Sequence, residues 1–232
     1  MLLVLSLALV GKTTCAQSNN RLDSLERVLE VTTDNITKIE LLLELSNEAQ
    51  FKSTDQAKRY VNRALAIAGN VEYKEGLVQS YVALGHIAVA EEDYSVAIAK
   101  YTEALLIEES RNNWADVSMC HNYIGEVYFA KNQNDSALFH FDRAITNGSV
   151  TSSNESFVRA NGNIGNLFYS KGDIQMAATY YGHAINEVGD REPYDGLAVP
   201  FYHMGLIEQA DSNNVKARES FMSALRISRD DA

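Results

Sequence analysis

Several residues in this chain have types that could do chemistry, and the first are near the start. Gly11-Lys12-Thr13-Thr14 follows an apolar run, as in a strand entering a phosphate-binding loop. Such a loop needs a second glycine five residues before the Gly-Lys pair, so that backbone amides can wrap the phosphates. Ser6 stands there instead, and the polar stretch CAQSNNRLDS follows where an apolar helix should begin. The phosphate-loop reading fails on spacing.

Metal and nucleophile chemistry fare no better. His86, His121, His140, His183 and His203 share no helical or loop spacing that would converge two imidazoles on one ion. Cys120 and His121 are adjacent, so on a helix their side chains diverge by about 100° and cannot act as a thiolate–imidazole pair. The acidic pairs Glu91-Glu92 and Glu108-Glu109 fall at turns or helix ends, where solvated carboxylates are the default. No catalytic residue, metal ligand or cofactor is therefore assigned, and a non-enzymatic role is expected.

The apolar opening reads as an export signal. Leu2–Val10 is a nine-residue stretch, apolar but for Ser6, and too short to span a bilayer. Thr14-Cys15-Ala16 puts small residues where a signal peptidase reads, so cleavage is expected after Ala16, with residues 1–16 as the signal peptide. Lipid anchoring at Cys15 is the less favoured alternative, because Lys12 stands where an apolar residue should precede it. Periplasmic or cell-envelope localisation follows from that expectation. Removing Lys12 takes the net charge from −11 to −12, which repels phosphate backbones and anionic lipid and argues against nucleic-acid binding. The mature chain would hold no stable membrane span, and Cys120 alone would remain, with no partner for a disulfide.

The rest of the chain is periodic. The glycines Gly85, Gly125, Gly165 and Gly205 recur every 40 residues. With them run Ala97, Ala137, Ala177 and Ala217, then Tyr101, Phe141, Tyr181 and Phe221, then Ala104, Ala144, Ala184 and Ala224. An earlier copy supplies Ala57, Val61 and Ala64 in phase. Two prolines in the whole chain and few β-branched runs make the chain read as nearly all helix. A helical glycine costs about 1 kcal/mol relative to alanine. Its recurrence implies a return, expected here as close backbone-to-backbone approach of paired helices. Ser53, Asp93, Asp173 and Asn213 are the expected caps of second helices, with the cap in the third copy open.

A Leu/Ile-Gly pair in one helix, with Ala, an aromatic and Ala-Leu/Ile in the next, resembles the tetratricopeptide repeat. The first copy departs from it, with Leu45-Ser46 for Leu-Gly and a loop one residue short. The 40-residue period exceeds the family's usual ~34. The resemblance implies an all-α, right-handed α-solenoid of about five helix pairs over residues 38–232, at roughly 38–70, 76–109, 116–148, 156–188 and 196–229. Residues 17–37 would form a linker and an N-terminal capping helix, with Leu22, Leu25, Val28 and Leu29 on its apolar face.

It also implies a concave face that holds a peptide or protein segment. By the family's pattern, first-helix side chains on that face are Gln79 and His86, then Asn122, Glu126 and Phe129, then Arg159, Asn163, Asn166 and Tyr169, then Tyr202, His203 and Gln209. A repeat array with this exported opening resembles the sensory regions of bacterial envelope signalling proteins, so signal sensing is an implication of that kinship. The alternative is a structural scaffold, a homodimer formed through a last repeat with no helix to cover it.

Overall fold

A computed structural model describes residues 21–151, 154–188 and 195–230. Every element among them is helical. The export signal expected over residues 1–16 lies outside the described residues. No described helix is long and apolar enough to cross a membrane.

The chain divides into two compact units, Met1–Ile107 and Glu108–Ala232. The first holds α1 (21–31), α2 (Asn35–Gln50), α3 (Thr54–Asn70) and α4 (Lys74–Ala90). The boundary falls within α5 (Tyr94–Arg111). The second holds α6 (Trp114–Ala130), α7 (Asn134–Thr151), α8 (Asn154–Ser170), α9 (Ile174–Val188), a short 3-10 turn at Asp195–Leu197, α10 (Ala198–Ala210) and α11 (Asn214–Asp230).

The turns explain the period. Most helices end on a left-handed residue: Glu72, Glu92, Asn112 and Asn132 at 20-residue intervals, then Gly172 and Ser212. Behind each, an amide reaches back five residues to a carbonyl, as in Asp93 to Ala88 at 2.9 Å and Asp173 to Phe168 at 3.0 Å. These bonds satisfy carbonyls that the helix end would otherwise orphan. Caps then start the next helix. Ser53 Oγ accepts from the Gln56 amide at 3.3 Å, and Asp93 Oδ1 from Val96 at 3.1 Å. Asp173 Oδ1 accepts from Met176 at 3.1 Å and Asn213 Oδ1 from Lys216 at 3.4 Å. In the third copy Gln133 takes the cap position, and its main-chain carbonyl accepts from Ala137 at 3.0 Å.

The glycines do something other than expected. A Cβ built on Gly125 would lie 2.5 Å from the Phe141 ring, on Gly165 2.5 Å from Tyr181, and on Gly205 2.6 Å from Phe221. Gly85 meets the Tyr101 ring in the same way. The atoms nearest each missing Cβ belong to rings, not to backbone, so the expectation of backbone nesting is corrected. A flat ring from the second helix takes the volume that a side chain on the first would fill. The alanine columns around it are sealed: Ala57, Ala64, Ala97, Ala104, Ala137, Ala144, Ala177 and Ala184 are buried.

α1 caps the first unit. Leu22, Leu25 and Leu29 pack into the cluster that holds Ile39, Leu42, Leu45 and Val61. Arg21 reaches Glu44 and Glu48 on α2 at 2.9 and 3.1 Å, and the Tyr60 hydroxyl of α3 donates to Glu26. Val28, expected on the same apolar face, is exposed instead.

Candidate functional site

Within the second unit, the first helices of the three pairs are α6, α8 and α10. The residue after the repeat glycine stands beside the ring that the glycine admits, and the ring's chemistry decides its partner. The Tyr181 hydroxyl donates to Asn166 Oδ1 at 2.8 Å. In the first unit Tyr101 and His86 make the same contact, hydroxyl to Nδ1 at 2.8 Å. Phe141 has no hydroxyl to offer, and Glu126 turns to α8 instead. Its Oε1 accepts from Arg159 Nε at 2.8 Å and from Asn163 Nδ2 at 2.9 Å. Its Oε2 receives only a long contact, 3.4 Å, from Arg159 Nη2.

The Arg159 guanidinium also lies over the Tyr123 ring, 5.3 Å from its centroid. Arg159 and Glu126 are 38% and 33% exposed, so this cluster faces solvent while its members fix one another. Burial raises the Tyr123 hydroxyl above the ordinary phenol range, keeping it a neutral donor. Sequence reasoning missed Tyr123. It occupies in α6 the column that Asn163 and His203 occupy in α8 and α10, and that column was the signal for it.

A second cluster lies on α8, α9 and α10. The His203 ring stacks nearly parallel on Tyr181 at 5.4 Å and lies 4.5 Å from Tyr169. Burial holds its pKa below the ordinary histidine range, so it is neutral near pH 7. Tyr202, half exposed, meets Phe221 at 5.9 Å. Six of the expected face residues are thus gathered in two groups: Glu126, Arg159 and Asn163, then Asn166, Tyr169 and His203, with Tyr202 beside the second.

Others lie elsewhere. Asn122 is fully buried, its Nδ2 donating to both Ser156 O and Ser156 Oγ at 2.9 Å. Beside it the Ser118 hydroxyl donates to Ala144 O at 2.6 Å. Asn122 is therefore a strut between α6 and α8, a correction to its expected place on an open face. Phe129 packs half-buried around Phe141, Ile164 and Leu167. Gln209 and Gln79 are exposed, and Gln79 makes only a 3.5 Å contact with Glu75.

The histidines do pair, though not as spacing along one helix would show. His121 on α6 and His140 on α7 meet Nδ1 to Nδ1 at 3.1 Å, with Tyr128 stacked on His140 at 5.4 Å. Burial pushes His121 down to about 4 and lowers His140. The contact is a hydrogen bond between two neutral rings, one donating and one accepting. Among the described residues no three His, Cys, Asp or Glu side chains gather as a metal donor set. Cys120 is buried, and burial pushes its thiol up to about 12, so it is an unreactive packed side chain.

Comparison with known proteins agrees with this architecture. A tetratricopeptide-repeat family model matches residues 158–186, from α8 into α9. That segment matches one tetratricopeptide repeat, and the helix pairs that hold Gly85, Gly125 and Gly205 share its glycine, alanine and aromatic columns. Among solved structures it is similar to BtubC (BKLC) from P. vanneervenii, at 18% identity and TM-score 0.69, over 92% of this chain and 89% of that one. It is also similar to aspartyl phosphate phosphatase F from Bacillus subtilis, at 17% identity and TM-score 0.70, over 91% and 68%. NprR in complex with its cognate peptide NprX matches at 17% identity and TM-score 0.67, over 91% of this chain but 62% of NprR. Identities this low speak for the fold alone. A search of curated proteins by sequence gives no match.

Proposed function

We propose that this tetratricopeptide-repeat chain is a non-catalytic interaction module, and that the first-helix face of its second unit holds an extended peptide or protein segment. One observation carries this: a row of amide, carboxylate and aromatic side chains, partly exposed and already fixed by neighbours. Glu126 is held by Arg159 and Asn163, Asn166 by Tyr181, and Tyr169 by His203. Such groups are pre-positioned for main-chain hydrogen bonds and aromatic contact, so little ordering entropy is lost on binding. NprR, of similar fold, was solved with a peptide, which supports the reading. The apolar opening Leu2–Val10 supports export to the envelope, and a sensory role there is part of the same proposal.

The test is selection from a displayed peptide library, followed by calorimetric titration of a selected peptide. Tyr202→Ala with Asn163→Ala should weaken it at least tenfold while stability changes by about 1 kcal/mol or less. Unchanged affinity in that variant would remove the site from this face.

A second reading, self-association, has its own observation. Phe141 and Tyr181 are fully buried, but their counterpart Phe221 is only half-buried. On the same helix Leu225 and Met222 are 46% and 61% exposed, beside Arg226 and Arg229 in an open groove. In this reading α11 is covered by a second copy. Sedimentation should then show concentration-dependent dimers that Leu225→Glu abolishes, and a monomer at all concentrations would end it.

A further inference from the structure

The helices that carry the proposed binding face are lopsided in charge, while on the face itself the charged residues are Glu126 and Arg159. α6, α8 and α10 together hold Asp116, Glu126, Glu155 and Glu208 but only one lysine or arginine, Arg159. That one cation is already engaged, with Nε on Glu126 Oε1 and its plane over Tyr123. An incoming carboxylate would have to displace Glu126 from Arg159 and would then sit beside the displaced charge, a like-charge juxtaposition that costs affinity. An incoming cation faces the opposite situation. Glu126 Oε2 holds only the 3.4 Å contact, so a carboxylate oxygen at the surface has acceptor capacity to spare. Tyrosine faces stand along the same row, and the guanidinium over Tyr123 shows a cation accommodated there.

We infer that Glu126 sets the charge class of the ligand: the face takes an extended peptide bearing lysine or arginine and rejects one bearing carboxylates. This rests on the peptide-binding role proposed above. Arg159 serves to hold Glu126 in place, not to receive the ligand, and Asn163 fixes the same oxygen from the other side. The chain's net charge of −11 acts in the same direction at longer range and speeds encounter with a basic partner.

The test uses the purified chain and three fluorescein-labelled peptide pools of equal length. Each is random in Gly, Ser, Leu and Tyr, with fixed Lys, fixed Glu or no fixed charge, and binding is read by anisotropy. The Lys pool should bind at least tenfold tighter than the Glu pool, and the gap should narrow in added salt. Glu126→Gln keeps shape and should collapse the gap to within about threefold. Binding without charge preference, a Glu-pool preference, or an unchanged gap in Glu126→Gln would overturn the charge assignment while leaving peptide binding standing. No binding of any pool would overturn both.

Discussion

The hairpins α2/α3 and α8/α9 solve one packing problem in two ways. In α8 the seam position is Gly165, and the Tyr181 ring of α9 fills the space its Cβ would take. In α2 the same position is Ser46. The buried series Ile39, Leu42, Leu45, Ser46 has the spacing of Ser118, His121, Ile124, Gly125 in α6, which puts Ser46 in the glycine's place. The residue in α3 that stands in register with the aromatic column is Val61, buried and without a ring. Glycine is therefore not needed where the aromatic is absent. Close packing requires the seam to be filled in both hairpins, by a ring over glycine in α8/α9 and by smaller side chains in α2/α3.

Their turns differ correspondingly. The α8/α9 turn has Gly172 in the left-handed region and an amide reaching back five residues. The α2/α3 turn closes with Ser53 N–H on Ala49 O, four residues back at 2.8 Å, without a left-handed residue. That is the missing residue of the first copy.

The largest break in the comparison should come from Tyr181→Val alone. It leaves the glycine's space empty beneath a buried seam and should cost about 3 kcal/mol in denaturant unfolding. Phe221→Val, at a half-buried ring, should cost less. Acid comes next. His121 is held neutral, its folded pKa of about 4 lying below the ordinary 6.5. Its contribution is present above pH 6.5 and is lost as pH falls toward 4, on the order of 2 kcal/mol. Hydrogen exchange at pH 5 against pH 7 should therefore loosen α6/α7 and spare α2/α3, which contains no histidine. Uniform loosening would contradict that. Two smaller effects sharpen the contrast. Tyr181→Phe removes the bond to Asn166 and should cost about 1 kcal/mol. Gly172→Ala, forced into the left-handed region, should cost about 1 kcal/mol, where Lys52→Ala in the α2/α3 turn changes stability by about 0.5 kcal/mol or less.

Much of this was legible in the sequence because periodicity is a property of the chain itself. The glycine, alanine and aromatic columns, four caps and the short first loop all follow from 40-residue spacing. What the columns do was not legible. A column of glycines marks close approach but does not say whether backbone or ring approaches, and here it is the ring. Contacts between helices were the blind spot at the site as well. Asn122 shares its helix face with residues that open to solvent, yet Ser156 on α8 takes its amide. His121 and His140 are 19 residues apart on two helices, so no spacing along either helix shows that they meet. Glu126, Arg159 and Asn163 were each placed on the face. Their mutual neutralisation needed coordinates, because it depends on Phe141 lacking the hydroxyl that occupies Asn166 in the next pair.

The measurement that bears most directly on the account is a double-mutant cycle of Gly165→Ser with Tyr181→Val, which rewrites the α8/α9 seam as the α2/α3 seam. If ring and glycine share one volume, the double variant should be more stable than the summed single losses predict, by about 1 kcal/mol or more. Strict additivity would mean that glycine and ring are independent, and the packing that presents Glu126, Asn163 and Asn166 on one face would lose its physical basis.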